Sequence, residues 1–295
     1  MASLTGVSSP ESTISRCYRH PDREAGRSCT RCGKPACSDC LVQAVVGSHC
    51  LDCAKAARPD VKTRVHLASS RVLTPVTYTI MGLNLLVFLW MGASDSATFA
   101  GDITQRHADL GLSKFILQGK AGYAGVRIPE HEWYRLVTSG FIHFGIFHIL
   151  MNMLLLFQLG QLLERALGNV RFTLLYFAGL FAGSLGVLIA DGNGLTGGAS
   201  GAVFGLMAGA AVGLHRRGVN VFSTGIGTTL ILNLVLTFSI SGISIGGHLG
   251  GAAGGAICGW LMLAPSWKPS PKWVTYAAPI AVIVLSFAGA VALVG

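Results

Sequence analysis

Carboxylates run out early in this sequence. Only 13 aspartates and glutamates occur in 295 residues, and Asp191 is the only one beyond Glu164. A Ser-His-Asp triad with its acid close to a C-terminal histidine is thereby excluded, and Asp191 is poorly placed to serve from across a loop. No His-Glu-x-x-His helix occurs, which removes the familiar zinc-protease signature. A charged transport path and an inverted repeat are missing too, which counts against a small transporter. Between Cys53 and Cys258 there is no cysteine. No apolar run opens the chain, so a cleaved signal peptide is not expected.

What the chain has in abundance is apolar. Hydrophobic residues make up 51% and charged residues 12%, with a mean hydropathy of +0.57, too apolar for an ordinary soluble protein. The apolar residues fall in blocks of roughly 20, enough to cross a bilayer as helices. Polar and cysteine-bearing residues concentrate before residue 72. The expected organisation is a disordered N-terminus (1–14), a zinc-binding domain (15–56), a basic linker (57–71) and a polytopic membrane domain (72–295). The net charge of +9 does not signal nucleic acid, because the bases are scattered through short loops beside apolar runs.

Seven of the eight cysteines lie between Cys17 and Cys53. They form Cys17-x2-His20, Cys29-x2-Cys32, Cys37-x2-Cys40 and Cys50-x2-Cys53, four knuckles with eight soft ligands, enough for two tetrahedral zinc sites. Disulfides fit less well, since seven cysteines plus one well-spaced histidine suit metal and a cytosolic domain keeps its thiols reduced. The order of pairs resembles a B-box or RING-like cross-brace. On that pattern Cys17, His20, Cys37 and Cys40 hold one ion, and Cys29, Cys32, Cys50 and Cys53 the other. Sequential pairing is the alternative, with His49 able to replace a neighbour. Both sets are closed, so the metal is structural and the block suits interaction with a protein partner the sequence does not name.

Seven apolar spans are expected, at about 73–91, 139–159, 172–190, 200–214, 223–240, 246–263 and 273–294. Placing the N-terminus inside puts Lys62, Arg64, Arg71, Arg165, Arg171, Arg216, Arg217, Lys268 and Lys272 in the cytosol, so an N-in, C-out orientation satisfies the positive-inside bias. The fourth span then begins outside, at Ser200 in Gly197-Gly198-Ala199-Ser200-Gly201, and the sixth begins beside His248, also outside. The fourth is too short to cross fully, so the 192–198 loop is expected to dip into the bundle around a cavity that holds the serine.

His248 is an intramembrane histidine, a costly residue that usually faces a functional interior. Around it, Gly247, Gly251, Gly255 and Gly259 recur at every fourth position, as do Gly246, Gly250 and Gly254. Such ridges let helices pack closely, close enough here for Ser200 to meet an imidazole nitrogen, the need of covalent acyl transfer. His148 and Asn152 share a helix face one turn apart and can donate to an oxyanion. A helix-packing role for these polar groups, and a zinc site from His143, His148 and His248, are the competing readings.

These residues resemble the rhomboid family of intramembrane serine proteases over about residues 70–295. The resemblance rests on Gly198-Ala199-Ser200-Gly201, His248 in a glycine-rich sixth helix, His148-x3-Asn152, and Trp133-Tyr134-Arg135 in the first loop. It implies an all-α polytopic membrane fold of six core helices plus one C-terminal helix. It also implies Ser200 as nucleophile, His248 as base, and an oxyanion hole from His148, Asn152 and the Ser200 N–H. Phe204 would pack on the imidazole, Trp133 and Arg135 would fix the first loop, and Glu164 with Arg165 would form a structural pair. Substrates would be single-span proteins of the same bilayer. Catalysis would need no cofactor, and the protein would sit multi-pass in the cell membrane with its site opening outward. A catalytically dead binder of membrane clients is the alternative.

Overall fold

The computed structural model describes residues 15–44, 47–56, 73–120, 122–123, 126–127, 131–190, 194–240 and 242–295. The expected disordered N-terminus, the basic linker and Asp191 lie outside the described residues. The chain divides into two compact units, Met1–Val72 and Leu73–Gly295.

Within the first unit, two small antiparallel hairpins, β1 (Arg27–Ser28) with β2 (Pro35–Ala36) and β3 (Leu41–Gln43) with β4 (Ser48–Cys50), precede helix α1 (Leu51–Ala56). The core is small. Cys17, Ala36, Cys37 and Cys40 are buried together, with Tyr18, Leu41 and Leu51 packed against them. Most of that core is prospective metal ligand rather than hydrocarbon.

The described residues of the second unit are mainly helical, apart from a short antiparallel pairing of Gly122–Tyr123 with Val126–Arg127 in the first loop. Helix α2 (Pro75–Ser94) leads into a first loop containing α3 (Ala97–Ala100), α4 (Gln105–Leu110), α5 (Lys114–Leu117) and α6 (Arg135–Thr138). Then come α7 (Ile146–Leu167), α8 (Asn169–Ala190), α9 (Ser200–Arg216), α10 (Ile226–Ser239), α11 (Ile245–Met262) and α12 (Val274–Val294). Of the seven expected spans, α2, α7, α8 and α12 are long and apolar enough to cross a membrane. The other three are shorter or less apolar: α9 has 17 residues, α10 only 14, and α11 carries seven glycines in 18. The second span begins seven residues later than expected. A 3-10 turn (Ser139–Phe141) and Gly145, at φ +87°, hold the chain off helix until Ile146, so His143 lies before the helix rather than in it.

Glycine spacing decides how α9, α8 and α11 meet. A Cβ on Gly251 would overlap the Gly201 carbonyl, one on Gly255 the Gly205 carbonyl, and one on Gly259 the backbone of Gly209. The other ridge of α11 faces α8, where Gly250 lies against Ala182 and Gly246 against Gly186. Most positions of both every-fourth ridges are therefore met by neighbouring backbone, the arrangement small residues permit between apolar helices. At one end of the bundle, Leu112, Leu117 and Leu136 of the first loop cluster with Val187 and Leu188 of α8 and with Ala290 and Val294 of α12.

Glu164 and Arg165 do not pair with each other. Glu164 is buried, 1% exposed, and accepts from the Val76 and Thr77 N–H groups at 2.9 and 2.8 Å and from Thr77 Oγ1 at 2.6 Å. It caps the N-terminus of α2 from α7, while Arg165 donates to Gln161. Glu164→Gln faces those donors with an NH2 group and is expected to cost about 2 kcal/mol. Thermal unfolding in detergent should register this as a lowered Tm, and an unchanged midpoint would contradict the capping role.

Candidate active site

Ser200 is the first residue of α9, with Ala199 as its N-cap. It therefore sits among N–H groups that lack an intrahelical acceptor, at the positive end of the helix dipole. The loop before it is fastened from several sides. Gly198 N–H donates to the Ser139 carbonyl (2.7 Å), and Thr196 exchanges backbone bonds with Leu112 at 2.8 and 2.9 Å. Ala199 N–H donates to His143 Nε2 at 3.4 Å. The His143 carbonyl in turn accepts from His107 Nε2 at 3.1 Å, because His107 Nδ1 is taken by the Thr104 N–H. Burial holds the His107 imidazole below its ordinary pKa range, so it is neutral near pH 7. A relay of two histidines thus runs from the first loop to the residue preceding Ser200.

His148 stands in the first turn of α7. The Phe144 N–H donates to its Nδ1 at 3.3 Å, and since an N–H can only donate, the ring proton of the neutral imidazole is on Nε2. That nitrogen faces the gap beside the serine. A Cβ on Gly198 would lie 2.8 Å from His148 Nε2 and 3.7 Å from Ser200 Oγ, and Gly198 itself adopts φ +132°, a conformation open to glycine. The gap is thus bounded by a hydroxyl on one side and a ring N–H on the other. Asn152, one turn further, gives one Nδ2 hydrogen to the His148 carbonyl at 2.9 Å and keeps a second.

His248 is in the first turn of α11 and is 8% exposed. Its ring stacks on Phe204, one turn beyond Ser200, with centroids 4.1 Å apart and planes inclined by 17°. The residues next to serine and histidine also approach: a Cβ on Gly201 would lie 3.4 Å from the Gly247 carbonyl. His248 Nδ1 lies 2.7 Å from Thr237 Oγ1 on α10, a partner the sequence reading missed. A small cleft of about 40 Å³ opens beside Ser200, lined in part by Ser139, Ser184, Thr196, Gly198 and Ser244.

Trp133 and Arg135 do different work in the first loop. Arg135, 1% exposed, donates to Glu132 Oε2 (2.6 and 2.8 Å) and to the Ala108 and Gly111 carbonyls (2.6 and 2.8 Å). Trp133 meets Phe287 of α12 edge-on at 6.0 Å. The first loop is thus tied internally by the arginine and braced on the last helix by the tryptophan.

Residues 130–265 match a family model described as the rhomboid domain. The membrane unit carries a rhomboid domain. The matched range contains Ser200, His248, His148, Asn152, Phe204 and Thr237 and leaves out α2 and α12. Among curated proteins, the chain is 36% identical over 132 residues to rhomboid protease GluP of Bacillus subtilis, covering 43% of this chain and 26% of that protein. It is 30% identical over 184 residues to RHOMBOID-like protein 4 of Arabidopsis thaliana, covering 60% and 45%. Rhomboid protease GlpG of Photorhabdus laumondii is 30% identical over 198 residues, covering 65% and 62%. The chain thus spans about a quarter to three-fifths of the length of these relatives.

Outside the rhomboid domain, the ligands of the first unit fall into two groups, Cys17, His20, Cys37 and Cys40, and Cys29, Cys32, Cys50 and Cys53. In each, the ligand atoms lie within 4.8 Å of one another. His20 Nδ1 is 3.9, 3.5 and 3.4 Å from the sulfurs of Cys17, Cys37 and Cys40, and the Cys32 and Cys50 sulfurs are 3.7 Å apart. A tetrahedron with arms of about 2.3 Å has edges of about 3.8 Å, so both sets fit an ion of that kind. The grouping alternates along the chain rather than running sequentially, and His49 belongs to neither set. Among the described residues, His143, His148 and His248 form no third group of metal ligands.

Proposed function

We propose that the chain is an intramembrane serine endopeptidase that hydrolyses peptide bonds in or beside the transmembrane helices of other proteins. The observation that carries this is the gap above Gly198, bounded by the Ser200 hydroxyl and the protonated Nε2 of His148, with His248 stacked on the same helix. The names of the relatives point the same way. Ser200 is the nucleophile and His248 the general base. As Oγ attacks the substrate carbonyl, His248 Nε2 takes the hydroxyl proton. The oxyanion that forms receives hydrogen bonds from His148 Nε2–H, the second Asn152 amide hydrogen and the Ser200 N–H. His248 then gives its proton to the leaving amine, and water entering by the cleft hydrolyses the acyl-enzyme by the reverse sequence. No cofactor takes part.

The bases flanking the spans support an N-terminus in the cytosol, with the C-terminus and site opening on the outer side. The two cysteine groups would each hold a structural zinc, closing the small unit without a vacant position for chemistry. That unit suits a protein partner or a regulatory role.

The test is reconstitution in vesicles with a single-span reporter, beside Ser200→Ala and His248→Ala. Cleavage retained in both variants, or none by the wild type across several reporters, sinks the proposal. Gly198→Ala is a finer probe. Its methyl group would occupy the gap at 2.8 Å from His148 Nε2, and kcat should fall about a hundredfold or more, read as initial rate at saturating reporter. A variant with wild-type turnover would show that the reacting carbonyl sits elsewhere.

A further inference from the structure

We propose that Thr237 is a positioning residue that fixes the tautomer of His248, so that the site works as a dyad steadied by a threonine where a carboxylate is lacking. The inference rests on the serine protease proposal and deepens it. Thr237 is one of only two buried residues of α10, the other being Gly227. Its Oγ1 lies 2.6 Å from the Asn233 carbonyl and 2.7 Å from His248 Nδ1. A carbonyl can only accept, and a hydroxyl has one hydrogen. The Thr237 hydrogen therefore goes to Asn233 O, and Oγ1 is left as an acceptor. The contact with His248 is then a bond donated by Nδ1–H, which leaves Nε2 without a proton, the form a general base needs. Phe204 on the ring face restricts tilt, while Thr237 sets the rotation about the ring axis and the position of the proton.

The same bond matters more once His248 becomes an imidazolium. Its Nδ1–H then donates with a charge behind it, and charge-assisted bonds are roughly twice as strong as neutral ones. The hydroxyl passes that polarisation to the Asn233 carbonyl. In a segment with no acid beyond Asp191, this chain of Asn233 O, Thr237 and His248 supplies orientation without a buried charge.

The test compares Thr237→Val, which keeps shape and loses the hydroxyl, with Thr237→Ser, which keeps the hydroxyl. In reconstituted full-length protein, kcat for a single-span reporter should fall about a hundredfold in Thr237→Val with KM little changed, and Thr237→Ser should recover most of it. Nitrogen-15 NMR of the His248 ring should report the Nδ1–H form in the wild type and a mixture in Thr237→Val. Wild-type turnover in Thr237→Val overturns the positioning role. So does an Nε2–H wild-type ring, a result that needs no variant to fold. If the wild type neither cleaves nor reacts at Ser200 with a fluorophosphonate, the protease proposal fails instead. Fluorophosphonate labelling of Ser200 with Thr237→Val at full rate removes only the threonine.

Discussion

Alanine at Ser200 should reduce kcat/KM for a single-span reporter by at least about 10⁴-fold, and His248→Ala should do the same, with the double variant no worse than either alone. The size follows from what the hydroxyl does: without it no acyl-enzyme forms, and the remaining donors can only polarise a carbonyl for attack by water. The non-additivity follows from the pair acting as one unit, since a base with no nucleophile to deprotonate contributes nothing further. The two single variants differ in another respect. His248→Ala also removes the ring stacked 4.1 Å from Phe204 and the partner of Thr237, so it should lower Tm. Ser200→Ala removes one hydroxyl beside a cleft and should leave Tm within a degree or so. Initial rates in vesicles together with thermal unfolding check both statements. Either variant cutting within tenfold of the wild type would contradict them.

How much of this was legible beforehand differs by residue. Ser200 and His248 stood out because each is a polar group in an apolar run flanked by glycines, and an every-fourth glycine ridge is a local pattern readable from sequence alone. The ridges meet neighbouring backbone on α9 and on α8, as their two registers imply. Thr237 did not stand out. The segment 223–240 holds several hydroxyl side chains, and no spacing rule says which of them reaches a histidine 11 residues away across a turn. Sequence order sets Glu164 beside its neighbour Arg165, whereas its partners are the Val76 and Thr77 amides, 88 and 87 residues away. Long-range caps of that kind leave no local trace. Hydropathy places the start of α7 too early because Ser139 to Phe144 are apolar enough to extend a span, and it does not register the φ +87° turn at Gly145. Nor does hydropathy mark the four short helices that the first loop carries among its described residues. The loop's apolar residues Leu112, between α4 and α5, Leu117 and Leu136 find partners on α8 and α12 that lie far along the chain.

Removing metal should unfold the first unit and leave the rhomboid domain intact. Residues 15–56 are close to the size below which a hydrophobic core alone rarely sustains a fold, and here Cys17, Cys37 and Cys40 make up most of the buried cluster. Hydrogen bonds among the sulfurs, with Cys32 and Cys50 foremost, push the Cys53 thiol up to about 12. Four thiols at such spacing cannot all ionise without a cation among them, and a zinc ion relieves that repulsion while contributing on the order of 10 kcal/mol to folding. The purified chain should therefore carry about two zinc ions. A strong chelator should release both and expose Arg16, Arg19, Arg23, Arg27, Arg31 and Lys34 to rapid tryptic cleavage. Over the same period 73–295 should survive as a protected fragment, since its helices are held by packing and not by metal. Cys29→Ser and Cys37→Ser each strike a different group and should each lose about one ion. Loss of both ions from Cys29→Ser alone would mean that the two sites fold as one unit, and zinc content near zero in the wild type would leave the paired cysteine groups without a metal role.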